Sequence, residues 1–262
     1  MPTARLKAQP RGSRSLRTTV TARRLLVHIA VTDQPRAGPA RMGPMPTETA
    51  RRHAVLVPVK PPARGKSRLV GVDDRARAEL ASAFALDTVT ACLAAEGVAE
   101  VLVATDDAVF ASAMGRLGAT CIPDGAGADL NAALRQAAAD ARRRWPHLTP
   151  VALCADLPAL RSDDLDAALE AAARLPADGA AFVADADGVG TTLYLASYDV
   201  FEPRYGDGSA AAHAGAGVRA LEGGLVSLRR DVDDLVDLAA AVGLGVGPRT
   251  QQVLDGIGLF RT

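Results

Sequence analysis

The stretch KPPARGKSR (60–68) sets four cations in nine residues around one glycine, a composition suited to a polyphosphate. A Walker A loop would need glycine where Lys60 stands, so GKS at 65–67 does not by itself make a P-loop. The alternative is a nucleotidyltransferase loop in which Lys60, Lys66 and Arg68 are catalytic. They would offset charge on a triphosphate and on the departing pyrophosphate, with Lys66 and Ser67 holding the nucleotide. A solvated basic turn is the plainer reading of the same residues.

Carboxylates supply the complementary chemistry. Asp156 follows the apolar run VALCA, and a carboxylate at such a place is costly unless paired or metal-bound. In RRDVDDLVDL, Asp231 and Asp233 point the same way if the chain is extended there. With Asp156 they can form one magnesium site, because magnesium takes oxygen ligands and keeps room for phosphates. Helix capping is the competing role for every one of these acids, and it is assigned here to Asp234 or Asp233.

Two glycine-rich turns carry hydroxyls, GVGTT (188–192) and YGDGS (205–209), the second opening an Ala-rich helix. Backbone N–H groups in such turns bind anions, and small side chains leave room for a small acid bearing phosphate or carboxylate. Chain turning, with Ser209 as a cap, accounts for them equally well. Asp106, after the second apolar run, can accept from guanine N1–H and N2–H, and Asn131 in DGAGADLNAAL can meet a base or ribose. Both residue types are also ordinary in loops.

The elements that must position these groups alternate. Apolar runs at 54–60, 98–105, 119–122, 151–156, 180–185, 192–196 and 225–228 read as strands, and 73–95, 107–117, 129–144, 162–174, 209–222 and 233–242 read as helices. Alternation of this kind predicts a single α/β domain with a mostly parallel sheet covered by helices on both faces. Ligands then collect beyond the carboxyl ends of the strands, where the residues above fall. The domain is expected over 53–247, followed by a C-terminal tail at 248–262.

Residues 1–52 have another character. They hold eleven Arg or Lys against Asp33 and Glu48, leaving nineteen bases and twenty-eight acids elsewhere. This basic, Pro- and Ser-containing stretch is expected to be a disordered extension, with Met42 and Met45 placed where a shorter product could begin. Its apolar run Leu25–Val31 is too short to cross a bilayer. The acidic remainder argues against a nucleic-acid partner. Three widely spaced cysteines fit neither a disulfide framework nor a zinc motif and point to the cytoplasm, while four single histidines suggest no triad. A homo-oligomer stays open.

Taken in order, LVPVKPPARGKSRL, ATDD, LNAAL, CADLPAL, GVGTTLY, YGDGSAAAH and RRDVDDLVDL resemble the guanylyltransferases of coenzyme F420 biosynthesis, over roughly residues 54–240. That resemblance implies a Rossmann-like nucleotidyltransferase domain. It implies transfer of GMP from GTP to phosphoenolpyruvate or 2-phospho-L-lactate with release of pyrophosphate, and Mg2+ as cofactor. It places the phosphorylated acid on Thr191, Gly206 and Ser209, and the metal on Asp156, Asp231 and Asp233. Molybdopterin and sugar nucleotidyltransferases have Gly-Gly-rich first loops where this chain has Pro61-Pro62. A non-catalytic nucleotide-binding module would keep Lys66 but have little use for converging carboxylates.

Overall fold

A computed structural model describes residues 52–59, 69–125, 129–176 and 179–260. In chain order the elements are β1 (His53–Pro58), α1 (Asp74–Ala94), β2 (Val98–Ala104), α2 (Ala108–Leu117), β3 (Thr120–Ile122), α3 (Leu130–Arg144), β4 (Thr149–Leu153) and α4 (Ser162–Ala173). There follow β5 (Ala181–Ala184), β6 (Thr191–Leu195), α5 (Ser209–Gly215), β7 (Arg219–Ala220), α6 (Val226–Arg229), α7 (Leu235–Leu244) and α8 (Pro248–Ile257).

The strands form one seven-stranded sheet of order β3-β2-β1-β4-β6-β5-β7, parallel except for β6, which runs against both neighbours. Helices pack on both faces. Val55, Val57, Val101, Val103, Val151 and Leu153 project to one side with α1, α2 and α4, and Ala54, Leu56, Leu102, Ala104 and Ala152 to the other with α3 and α5. Strands buried on both faces have no polar side to show, which is why they read as unbroken apolar runs. Aspartates mark the helix starts: the Asp73, Asp107, Asp129 and Asp234 carboxylates accept backbone N–H groups at the N-termini of α1, α2, α3 and α7.

Chain order reverses between β1 and β4, because β2 and β3 build outward on one side of β1 and β4 begins the other. In open α/β sheets ligands collect in the crevice at the carboxyl edge beside such a reversal.

Three local expectations differ. Residues 225–228 form the start of α6 instead of a strand: Arg229 N–H bonds Leu225 O at 3.1 Å, and the Ser227 N–H and hydroxyl both reach Asp164 Oδ2 at 2.8 and 2.6 Å. Four apolar residues cannot distinguish a strand from a buried helical turn, and here side-chain capping decides. The helix begun at Ser209 stops at Gly215, and Gly217, at φ +80°, turns the chain into β7. Residues 248–257, expected within a tail, form α8. Its N-terminus is capped by buried Asp87 of α1, which accepts from Thr250 N–H at 2.8 Å and Arg249 N–H at 3.3 Å.

Candidate active site

Asp156 lies three residues beyond β4 in a bend gripped from three directions. The wholly buried Thr88 of α1 bonds the residues on either side of it. Its hydroxyl lies 3.2 Å from Ala155 O and accepts Leu157 N–H at 3.2 Å. Farther along, Gly247 N–H donates to Pro158 O at 2.8 Å. Most tellingly, Val232 N–H donates to Asp156 O at 3.0 Å, so segments 76 positions apart in sequence are joined backbone to backbone. Val232 itself is buried in the core formed by α1, α7 and α8, while Asp231 is half-buried and Asp233 exposed. The main chain of Asp156 thus meets the segment that carries Asp231 and Asp233.

Asp234 serves as the helix cap, in a capping box with Asp237. Among the described residues, no three His, Cys, Asp or Glu side chains stand as a ready cage for a metal ion. Asp156 Oδ1 is inaccessible to solvent.

Across the crevice, the turn between β5 and β6 is built on Asp185, whose carboxylate accepts Val189 and Gly190 N–H at 2.9 and 2.6 Å. A Cβ on Gly190 would sit 2.4 Å from Asp185 Oδ2, so only glycine permits this wrap. Ala210 N–H donates to Val189 O at 3.0 Å and ties the turn to the start of α5. Gly208, at φ +67°, precedes that helix, and the buried Ser209 donates its N–H to Gly206 O at 3.1 Å. Thr191, Gly206 and Ser209 thus share one loop cluster. It abuts the carboxylate side, because Cys154 N–H donates to Thr192 O at 2.9 Å, two residues before Asp156.

Other expected residues take different posts. Asn131 bonds Tyr205 through its side-chain amide, donating to its carbonyl at 2.9 Å and accepting its N–H at 2.8 Å. It clamps the YGDGS turn to α3. Asp106 is exposed and accepts Asp124 N–H at 3.0 Å, which leaves its second oxygen for a ligand. Lys60, Lys66, Ser67 and Arg68 lie outside the described residues.

Two contributors escaped the sequence reading. Thr88 is a hydroxyl one turn after Phe84 on the buried face of α1, the available hint that a backbone group is bonded there. His213 follows Ser209 by four positions, on the same side of α5. Its ring is wholly buried, 3.0 Å from Thr191 Oγ1 through Nδ1 and accepting Arg204 N–H through Nε2 at 3.0 Å. Burial pushes this imidazole below its ordinary value, opposed by the Ser209 carbonyl and aided by the Arg204 charge, so the ring is neutral at neutral pH.

Residues 53–259 match the family described as Guanylyl transferase CofC like. The chain belongs to this family. It is 49% identical over 199 residues to a phosphoenolpyruvate guanylyltransferase of Thermomonospora curvata, covering 75% of this chain and 86% of the relative. A protein of the same name from Salinispora arenicola is 49% identical over 198 residues, covering 75% of this chain and 90% of the relative. Among solved structures, a nucleotidyl transferase from Methanothermobacter superposes with a TM-score of 0.53 at 20% identity, covering 74% of this chain and 97% of its own. At that identity it shows the Rossmann-like nucleotidyltransferase fold shared by the family. No helix among the described residues is long and apolar enough to cross a membrane.

Proposed function

We propose that the chain transfers a guanylyl group from GTP to phosphoenolpyruvate, releasing pyrophosphate, as a step of coenzyme F420 biosynthesis. The carrying observation is the 3.0 Å bond from Val232 N–H to Asp156 O, which brings the aspartate segments together at the carboxyl edge of the sheet beside the Thr191 cluster. Family membership and the names of its relatives support the donor and the acceptor.

In this reading a phosphate oxygen of the acid attacks the α-phosphorus of GTP in line, a new P–O bond forms, and the bond to the β-phosphate bridging oxygen breaks. Asp156, with Asp231 or Asp233, would hold the divalent cation, magnesium. When bound, it supplies positive charge to the phosphates being joined and released. Lys60, Lys66 and Arg68 offset the charge of the leaving pyrophosphate, Ser67 holds the triphosphate, and the remaining oxygen of Asp106 meets the base. Thr191, Gly206 and Ser209 hold the acid. An acceptor phosphate with a second pKa of about 6 is already largely dianionic at neutral pH, so no protein nucleophile or general base is required. The catalytic unit is residues 53–247, buttressed by α8 through Asp87.

The test is pyrophosphate release from GTP and magnesium with phosphoenolpyruvate and 2-phospho-L-lactate in competition. Turnover that depends on phosphoenolpyruvate is expected. Exclusive use of phospholactate overturns the acceptor, and pyrophosphate release indifferent to either acid overturns the reaction.

A further inference from the structure

We propose that His213 is a positioning residue for the acceptor acid: its ring, held in one tautomer, aims the Thr191 hydroxyl at the bound phosphorylated acid. The inference rests on the guanylyl-transfer reading with Thr191 in the acceptor site, and it assigns the group behind that hydroxyl.

The tautomer follows from the partners. Arg204 N–H can only donate, so Nε2, 3.0 Å away, accepts and carries no proton. A neutral imidazole then bears its one hydrogen on Nδ1, 3.0 Å from Thr191 Oγ1, and donates it there. With that oxygen accepting, the Thr191 O–H is left to donate to an anion. A threonine hydroxyl without such a partner would itself choose between donating and accepting; this one is committed in advance, so it enters the complex already aligned.

The ring cannot turn away. It stacks between Phe182 of β5 and Tyr194 of β6, with centroids at 5.5 and 4.9 Å, and meets Tyr205 edge-on at 5.8 Å. Tyr205 is in turn fixed by its hydroxyl on Ala152 O at 3.1 Å. The charged or titratable groups facing the ring are Tyr194, Tyr205 and Arg204. Burial pushes both phenols up and the imidazole down, so the ring is the group that takes up a proton on the acid side of neutrality. Protonation would put a hydrogen on Nε2 against Arg204 N–H, which breaks the bond that holds the segment leading into YGDGS. Acid therefore loosens both halves of the acceptor cluster through one ring.

The experiment uses the 262-residue chain with GTP, magnesium and phosphoenolpyruvate. His213→Phe keeps a flat ring between Phe182 and Tyr194 and removes both nitrogens. It is expected to raise KM for the acid roughly tenfold, the loss of a hydrogen bond to a charged group, with KM for GTP unchanged. His213→Asn, whose amide N–H replaces Nδ1, recovers most of that loss, and His213→Gln, whose carbonyl replaces Nε2, recovers little. Below about pH 6, KM for the acid rises more steeply in the wild type than in His213→Phe. The acid's own phosphate, with a second pKa of about 6, titrates identically in both and cancels in the comparison.

If His213→Phe melts too low to assay, the contrast between Asn and Gln carries the test alone, and equal KM values for those two overturn the proposal. A parallel rise in KM for GTP and acid also overturns it, since that marks general loosening. Thr191→Val separates the layers. A raised KM there beside an unchanged one in His213→Phe defeats this proposal only, whereas an unchanged KM in Thr191→Val defeats the acceptor assignment and this proposal with it.

Discussion

The two walls of the crevice are held by different means. The carboxylate wall is fastened mainly by main chain: Val232 on Asp156, Gly247 on Pro158, and Thr88 bridging Ala155 and Leu157, all seated on α1, which is buried against the sheet and against α7 and α8. The proposed acceptor wall adds polar side chains to its backbone bonds: Asp185 around Gly190, Asn131 around Tyr205, and His213 between Thr191 and Arg204. A wall tied by backbone presents a fixed charge arrangement that few substitutions disturb. One tied by polar side chains can be tuned by single substitutions and by pH, which fits a surface that must tell one small acid from another.

The comparison breaks most forcefully at the carboxylates themselves. Asp156→Asn and Asp231→Asn each lower kcat by about two to three orders of magnitude, the scale of losing one preorganised electrostatic group, while thermal unfolding stays near wild type. Pyrophosphate release at saturating magnesium checks this, and near-normal turnover would remove those residues from the cation site.

A smaller effect sharpens the contrast between walls. Asn131→Ala leaves the Tyr205 carbonyl and N–H without their amide partner. It should raise KM for phosphoenolpyruvate about tenfold and leave KM for GTP unchanged, each lost bond being worth roughly 1 kcal/mol. An increase confined to KM for GTP would instead restore Asn131 to the base. On the opposite wall, Thr88→Val keeps the shape of a buried side chain but strips Leu157 N–H of its acceptor. The expected outcome is a loss of about 1–3 kcal/mol in chemical denaturation and a several-fold lower kcat with both KM values intact.

The smallest effect is acid sensitivity of the fold. His213 and His53 are both held below the ordinary imidazole value by burial. The unfolded chain therefore binds protons that the folded chain refuses once pH drops under about 6.5. Their contribution is fully present above that value and is lost as pH falls toward the lowered folded values. Melting temperature against pH should slope downward below about 6.5, and His213→Phe should flatten part of that slope.

Much of this architecture is legible in the sequence, for identifiable reasons. β1, β2 and β4 are largely buried on both faces and so appear as apolar runs, and Asp73, Asp107 and Asp129 announce the helices that follow. The reversal of β6 is not legible, because its buried TTLYL looks the same in either direction and is set by the Asp185 turn. α8 hides because PRTQQVLDGI buries only Thr250 and Leu254 and docks through a carboxylate on a distant helix. At the site, Asp156 and Asp231 stand out by their position after apolar runs. An amide that fastens a loop and one that reads a base are the same residue type, so Asn131 does not announce its bond to Tyr205, and His213 is silent because its partners come from β6 and from the segment after it.

The central claim is that both walls serve one reaction centre. Its most direct test is an experimental structure of the chain with magnesium, a non-hydrolysable GTP analogue and phosphoenolpyruvate. The account predicts a cation bound by the Asp156 carboxylate together with Asp231 or Asp233, and the acid within hydrogen-bonding distance of Thr191 Oγ1. A cation touching neither aspartate segment, or an acid bound away from Thr191, would contradict it.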